Sequence, residues 1–186
     1  MKRLFVAVDI SSEARLFASE LIKQLRSEYP GKGVSWSKPE NLHLTIKFLG
    51  DTEPKSEPKL LEILSAIASS TPSFTLHLDK AELLGKRVIS IAVRSDSTTV
   101  FALEMAIDTA CERLGFEREG RRFHPHITLA RIRQPENARE LGRRFLKKQI
   151  EPLSFEVREI ILYKSELGPG GSVYRKVETF PLLVSG

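Results

Sequence analysis

Two stretches far apart in the chain carry the same pattern, His43-Leu44-Thr45-Ile46 and His126-Ile127-Thr128-Leu129. Alternate side chains of a β-strand point to opposite faces, so His43, Thr45 and Lys47 should share one face, with Leu44, Ile46 and Phe48 on the other. The same alternation puts His126 and Thr128 on one face and turns Ile127 and Leu129 inward. A single histidine on a half-buried strand is ordinary. Two of the chain's four histidines in matching slots are not, and they require a fold with two equivalent strands.

The surrounding periodicities supply such a fold. Leu4 to Val8 reads as a buried strand, and Ser11-Ser12 can cap a helix carrying Ala14, Phe17, Leu21 and Leu25 at spacings of three and four. After the Pro30-Gly31-Lys32-Gly33 break and a short alternation at Val34-Ser35-Trp36-Ser37 comes the first tetrad strand, over 42–49. A helix through Leu60, Leu64 and Ala68 and a strand from Phe74 follow. The second half repeats the order: strand 88–93, helix from about Thr98 to Leu114, tetrad strand 126–132, helix from about Glu136 to Lys148, strand 154–163. A last strand, Val173–Val177, follows the turn Gly168–Ser172.

The expected fold is therefore of mixed α+β or α/β class, with two lobes related by a pseudo-two-fold axis. Each lobe is a β-α-β-α-β unit, with mainly antiparallel sheets facing one another across a central cleft and helices outside. Residues 1–186 form a single domain whose lobes correspond to about 1–85 and 86–186. Such symmetry brings His43 and His126 together.

Composition narrows the class of function. No apolar run approaches the roughly 20 residues that span a bilayer, and the N-terminus becomes charged too soon for a signal peptide, so a cytoplasmic protein without a membrane partner is expected. The single Cys111 excludes an internal disulfide and fits a helix core position. The net charge of +5 favours an anionic partner such as nucleic acid.

Paired imidazoles suit general acid and base chemistry, because an ordinary pKa near 6.5 lets one accept a proton while the other donates. In-line displacement at phosphorus needs a base at the attacking oxygen, an acid at the leaving oxygen and donors for the non-bridging oxygens. Thr45 and Thr128 are the candidate donors, and neither a metal nor another cofactor is required. Residue type alone leaves the two proton roles interchangeable.

The tetrads resemble the paired HxTx motifs of the two-histidine (2H) phosphoesterases. Arg3-Leu4-Phe5-Val6-Ala7, Glu40 to Gly50, Pro125 to Arg131 and the closing Tyr174 to Leu182 stretch further resemble the RNA 2′,3′-cyclic phosphodiesterases once called 2′-5′ RNA ligases. The resemblance implies hydrolysis of a ribose 2′,3′-cyclic phosphate to a 2′-phosphate, with His43 as proton donor and His126 as acceptor. It implies as partner an RNA with a cyclic phosphate end, tRNA fragments or nucleotides included, taken up by a monomer. The alternatives are 2′-5′ ligation, with a 5′-hydroxyl replacing water, and a non-catalytic module that binds RNA ends.

Four further residues are candidates for substrate contact. Arg131 matches a family arginine, but strict alternation from His126 puts it on the wrong face unless the strand bulges. Lys47 has the right parity, whereas Phe48 has core parity and would have to stack on a base from the strand's end. Tyr174 is a similar aromatic candidate. His124 creates a His-Pro-His sequence without a further nearby ligand, and Arg118, Arg121, Arg122, Arg131 and Arg133 form a basic run around the second tetrad.

Overall fold

The periodicities materialise as nine strands and four α-helices in a computed structural model that describes residues 1–169 and 171–184, side chains of 135–138 excepted. The order is β1 (Lys2–Asp9), α1 (Ser12–Glu28), β2 (Val34–Trp36), β3 (His43–Thr52), α2 (Glu57–Ser70), β4 (Phe74–Leu84) and β5 (Val88–Ser95). It continues with α3 (Thr99–Arg113), β6 (His126–Ile132), α4 (Pro135–Phe145), β7 (Ser154–Val157), β8 (Glu159–Gly168) and β9 (Gly171–Pro181). Gly170, part of the glycine-rich turn read from the sequence, lies outside the described residues. Among the described residues no helix is long and apolar enough to cross a membrane.

All ladders between these strands are antiparallel, and the sheet order is β7-β4-β5-β6-β3-β1-β8-β9 with β2 also on β6. Each tetrad strand is thus central: four strands of that path lie on either side of the junction between them, and β2 is a fifth on the β6 side. These two sets are not the halves 1–85 and 86–186. β4 belongs with β5 and β6, while β8 and β9 belong with β1 and β3.

Local geometry explains the exchange. Gly85 and Lys86 have φ values of 54° and 61°, and Arg87 N–H bonds to the Leu84 carbonyl, so both central residues of a tight turn are left-handed, and the hairpin closes through Leu84 opposite Val88. A residue pair that looks like a lobe boundary is instead the hairpin that forces β4 beside β5. Similarly, the expected strand 154–163 breaks at Arg158: β7 pairs with β4 at one edge of the sheet, and β8 pairs with β1.

The helices pack through Ala14, Leu21 and Leu25 of α1, Leu60 and Leu64 of α2, Leu103, Ile107 and Cys111 of α3, and Leu141 and Phe145 of α4. Leu4, Val6 and Val8 of β1 join this core, whereas Phe5 and Ala7 face the opposite way and cluster with Ile161, Tyr163 and Tyr174. β1 is consequently buried on both faces, which explains its continuous apolar run.

The two sets of strands meet where β3 pairs with β6, through Leu44 opposite Ile127. Both side chains are fully buried, each contributing about 2 kcal/mol by removing apolar surface from water. Beyond this seam both tetrad strands bulge. On β3, Ala7 pairs with Thr45 and Val6 with Lys47, so Ile46 is the extra residue. On β6, Ser90 pairs with Thr128 and Ile89 with Ala130, so Leu129 is extra.

A bulge inverts the alternation after it. Ile46 and Lys47 are both buried and Phe48 emerges; Leu129 and Ala130 are both buried and Arg131 emerges. Lys47 is therefore not a substrate contact. Its ammonium lies in the helix-side core, 2.6 Å from Asp108 Oδ1 of α3 and 2.8 Å from the Glu117 carbonyl. Asp108 also accepts the Glu119 N–H at 3.0 Å and faces Arg118 Nε at 3.2 Å.

This buried pair pins β3 to α3 and to the segment leading towards His126. Replacing Asp108 by Ala strands the lysine charge in the core, and we expect a loss of about 3 kcal/mol or more. Replacing both partners by apolar residues should restore most of that loss; urea unfolding of the single and double variants measures both.

Candidate active site

The seam sets the geometry of the site. Continuing the antiparallel register from Leu44 opposite Ile127 sets His43 beside Thr128 and Thr45 beside His126. The tetrads lie flank to flank on neighbouring strands and offer His, Thr, His and Thr in a two-fold arrangement.

Each imidazole is oriented by the backbone two residues before it. His43 Nδ1 lies 2.7 Å from the Asn41 carbonyl, and His126 Nδ1 lies 2.8 Å from the His124 carbonyl. A carbonyl can only accept, so both Nδ1 atoms carry hydrogen and both neutral rings present an Nε2 lone pair. The Thr45 hydroxyl lies 2.9 Å from His43 Nε2 and must donate to it. Thr128 has no hydrogen-bond partner for its hydroxyl among the described residues.

A short 3-10 turn at Pro39–Asn41 delivers His43 to the strand. The Arg15 guanidinium braces it by donating to the Pro39 and Leu42 carbonyls at 2.6 and 3.0 Å. Asn41 Nδ2 donates to the Ser172 carbonyl at 2.8 Å, tying the same turn to β9. The His43 ring packs 5.0 Å from Phe5 and edge-on to Tyr174 at 5.3 Å.

Burial lowers the pKa of His43 and outweighs the Asn41 carbonyl and the negative charge of Asp9, both of which favour the proton. His126 is likewise lowered, first by burial, against the His124 carbonyl and Glu82. Asp9 remains ionised: burial opposes its charge, but the Tyr163 hydroxyl and the Lys176 ammonium hold its carboxyl below the usual value.

Both histidines and both threonines line one cleft of about 210 Å³, together with Phe48, Arg131 and Tyr174. The bulges explain why Phe48 and Arg131 are present: Arg131 reaches the cleft by the bulge its parity required, and Phe48 does so against its parity, with its side chain more than half exposed. Lys38 and Arg133 also line the cleft, and neither they nor Arg131 meets a carboxylate among the described residues. No acidic side chain among the described residues lines the cleft, so its field is positive.

Sequence reasoning missed Trp36, Lys38, Asn41 and Ser172 of this lining. Trp36 arrives because β2 pairs with β6, a contact no local pattern announces. Of the basic run, only Arg131 and Arg133 enter the cleft; Arg118 is taken up by Asp108 and Glu112. His124 bonds to Glu82 at 2.7 Å, and His77 forms a separate pair with Asp96. No group of three or more metal-ligating side chains occurs among the described residues.

Residues 13–169 match the model of a protein family described as the 2′-5′ RNA ligase superfamily. The chain belongs to that superfamily, the 2H phosphoesterases. An RNA 2′,3′-cyclic phosphodiesterase of Methanocaldococcus jannaschii is 33% identical over 95% of this chain and 98% of its own. Among solved structures similar to this superfamily member is TT0787 of Thermus thermophilus, with a TM-score of 0.81 and 26% identity over 99% of this chain and all of that one. Escherichia coli LigT complexed with 3′-AMP has a TM-score of 0.76 and 29% identity over 97% of this chain and 98% of that one. The antiparallel sheet with four helices is thus the superfamily's fold, as the resemblance of the motifs implied.

The lowered imidazole pKa values have a definite sign in stability. Below about pH 6.5 the unfolded chain binds protons at these rings more readily than the folded one. Stability contributed by the two rings should therefore fall as pH drops from about 6.5 towards their folded pKa values. NMR titration should find both rings titrating below about 6.5 in the free protein, and inorganic phosphate should move both upwards, because an anion in the cleft favours the imidazolium.

Proposed function

We propose that this protein hydrolyses 2′,3′-cyclic phosphate ends of RNA to 2′-phosphates, using His43 as proton donor and His126 as proton acceptor. The observation that carries this reading is the pair of Nδ1-anchored imidazoles presenting Nε2 atoms to one cationic cleft. The names of its relatives fit the same chemistry.

A cyclic phosphate end enters with its phosphorus between the two rings. Arg131 attracts the non-bridging oxygens by its charge and planar donor pattern. Water attacks phosphorus and loses a proton to His126 Nε2; the bond to the 3′-oxygen breaks as that oxygen takes the proton from His43 Nε2. The product carries a 2′-phosphate and a free 3′-hydroxyl. His126 is left protonated and His43 neutral, and exchange with solvent restores both.

The threonines act as donors to the phosphate. Thr128 has its hydroxyl free for this among the described residues. Thr45 becomes free when His43 is protonated at Nε2, because that nitrogen then no longer accepts the hydroxyl proton. The protonation state that makes His43 an acid thus also releases a donor for the phosphate. Phe48 and Tyr174 supply ring surface for the terminal base.

With an RNA oligonucleotide ending in a 2′,3′-cyclic phosphate as substrate, the product should be the 2′-phosphate, and turnover should persist in EDTA. His43→Ala and His126→Ala should each lower kcat by about 100-fold or more, and Arg131→Ala should lower kcat/KM by about tenfold. Unchanged substrate would reject hydrolysis, and a product joined to a second RNA would favour ligation. The pH profile of kcat/KM should be a bell centred below about 6.5, as the lowered pKa values of both rings require.

A further inference from the structure

A second cavity adjoins the cleft. It has a volume of about 220 Å³ and shares Phe48, Ser172 and Tyr174 with the cleft, while its other walls include Arg3, Gly50 and Ser165. Phe48 thus stands as a partition with the two histidines on one side and Arg3 on the other. Arg3 is exposed and forms no ion pair or hydrogen bond through its guanidinium among the described residues, unlike Lys2, which is held by Glu57 at 2.7 Å. The nearby cations Lys164 and Arg175 are both paired with Glu166. A free guanidinium beside exposed aromatic surface and serine hydroxyls, with no acid among the described lining residues, has the composition of a nucleotide site.

Arg3 is too far away to serve the reacting phosphate. Ala7 pairs with Thr45, and Arg3 is four residues further along β1, roughly 13 Å at strand rise. A phosphate held by Thr45 and Thr128 leaves Arg3 for a different phosphate, one or two nucleotides distant.

Resting on the proposed hydrolysis of cyclic ends, we propose that this second cavity is a subsite for the RNA chain upstream of the cyclic phosphate, with Arg3 pairing an internucleotide phosphate and Phe48 separating successive bases. Turnover should then rise with the length of RNA upstream of the cyclic end. Gly50 lines the same cavity, where its left-handed φ of 68° favours glycine.

The test compares a cyclic mononucleotide with a trinucleotide bearing the same cyclic end, in the parent, Arg3→Ala and Ser165→Phe, the last filling the cavity from β8. In the parent, kcat/KM should be about tenfold or more higher for the trinucleotide, as one charge-assisted phosphate contact allows; both variants should remove most of that gain. Binding of the 3′-phosphorylated mono- and trinucleotide by calorimetry provides a readout independent of turnover. Equal losses for both lengths, or none for either, would overturn the subsite. If neither cyclic compound is hydrolysed while the length-dependent binding persists and depends on Arg3, the hydrolase reading fails and the subsite stands. Thermal unfolding of the variants checks that they remain folded.

Discussion

The whole site depends on one contact, the antiparallel pairing of Leu44 with Ile127. The ladder is short, but the two side chains are fully buried, and a slip of one residue would turn each tetrad's histidine into the core. At this register every histidine has the other strand's threonine as neighbour. Catalytic geometry and core packing are therefore set by the same two apolar residues, and neither can drift without the other.

The bulges that follow are the second constraint. By adding Ile46 to β3 and Leu129 to β6, they bury two consecutive residues on each strand and turn the fifth residue after each histidine into the cleft. The pseudo-symmetric positions then diverge in chemistry. Phe48 offers a ring on one side and Arg131 a guanidinium on the other; beneath them Lys47 is an ion-paired core residue while Ala130 simply packs. A symmetric scaffold thus carries an asymmetric cleft, suited to a ligand with an aromatic base and an anionic phosphate.

Burial of the imidazoles serves two ends. It favours the neutral form of both rings, and it places them where an entering anion changes their protonation most strongly, since the low-dielectric surroundings that disfavour an isolated imidazolium strengthen its attraction to phosphate. The cations Arg131, Arg133 and Lys38 are left without carboxylate partners among the described residues, so substrate charge, rather than protein charge, completes the site.

Local patterning was enough to establish the strand pair, the helix positions, the class of chemistry and the candidate His and Thr residues, because period-two and period-3.6 patterns are local and the tetrads repeat. It also stated the condition on Arg131: a bulge would be needed. It could not locate the bulge, because Ile46-Lys47 and Leu129-Ala130 carry no mark that distinguishes an extra residue from an alternating one. Packing in three dimensions was needed to bring Lys47 to Asp108 on α3, to fold Gly85-Lys86 as a hairpin that exchanges strands between the chain halves, and to let β2 carry Trp36 to the cleft. Each of these depends on partners distant in sequence, whose burial and charge pairing outweigh the local pattern.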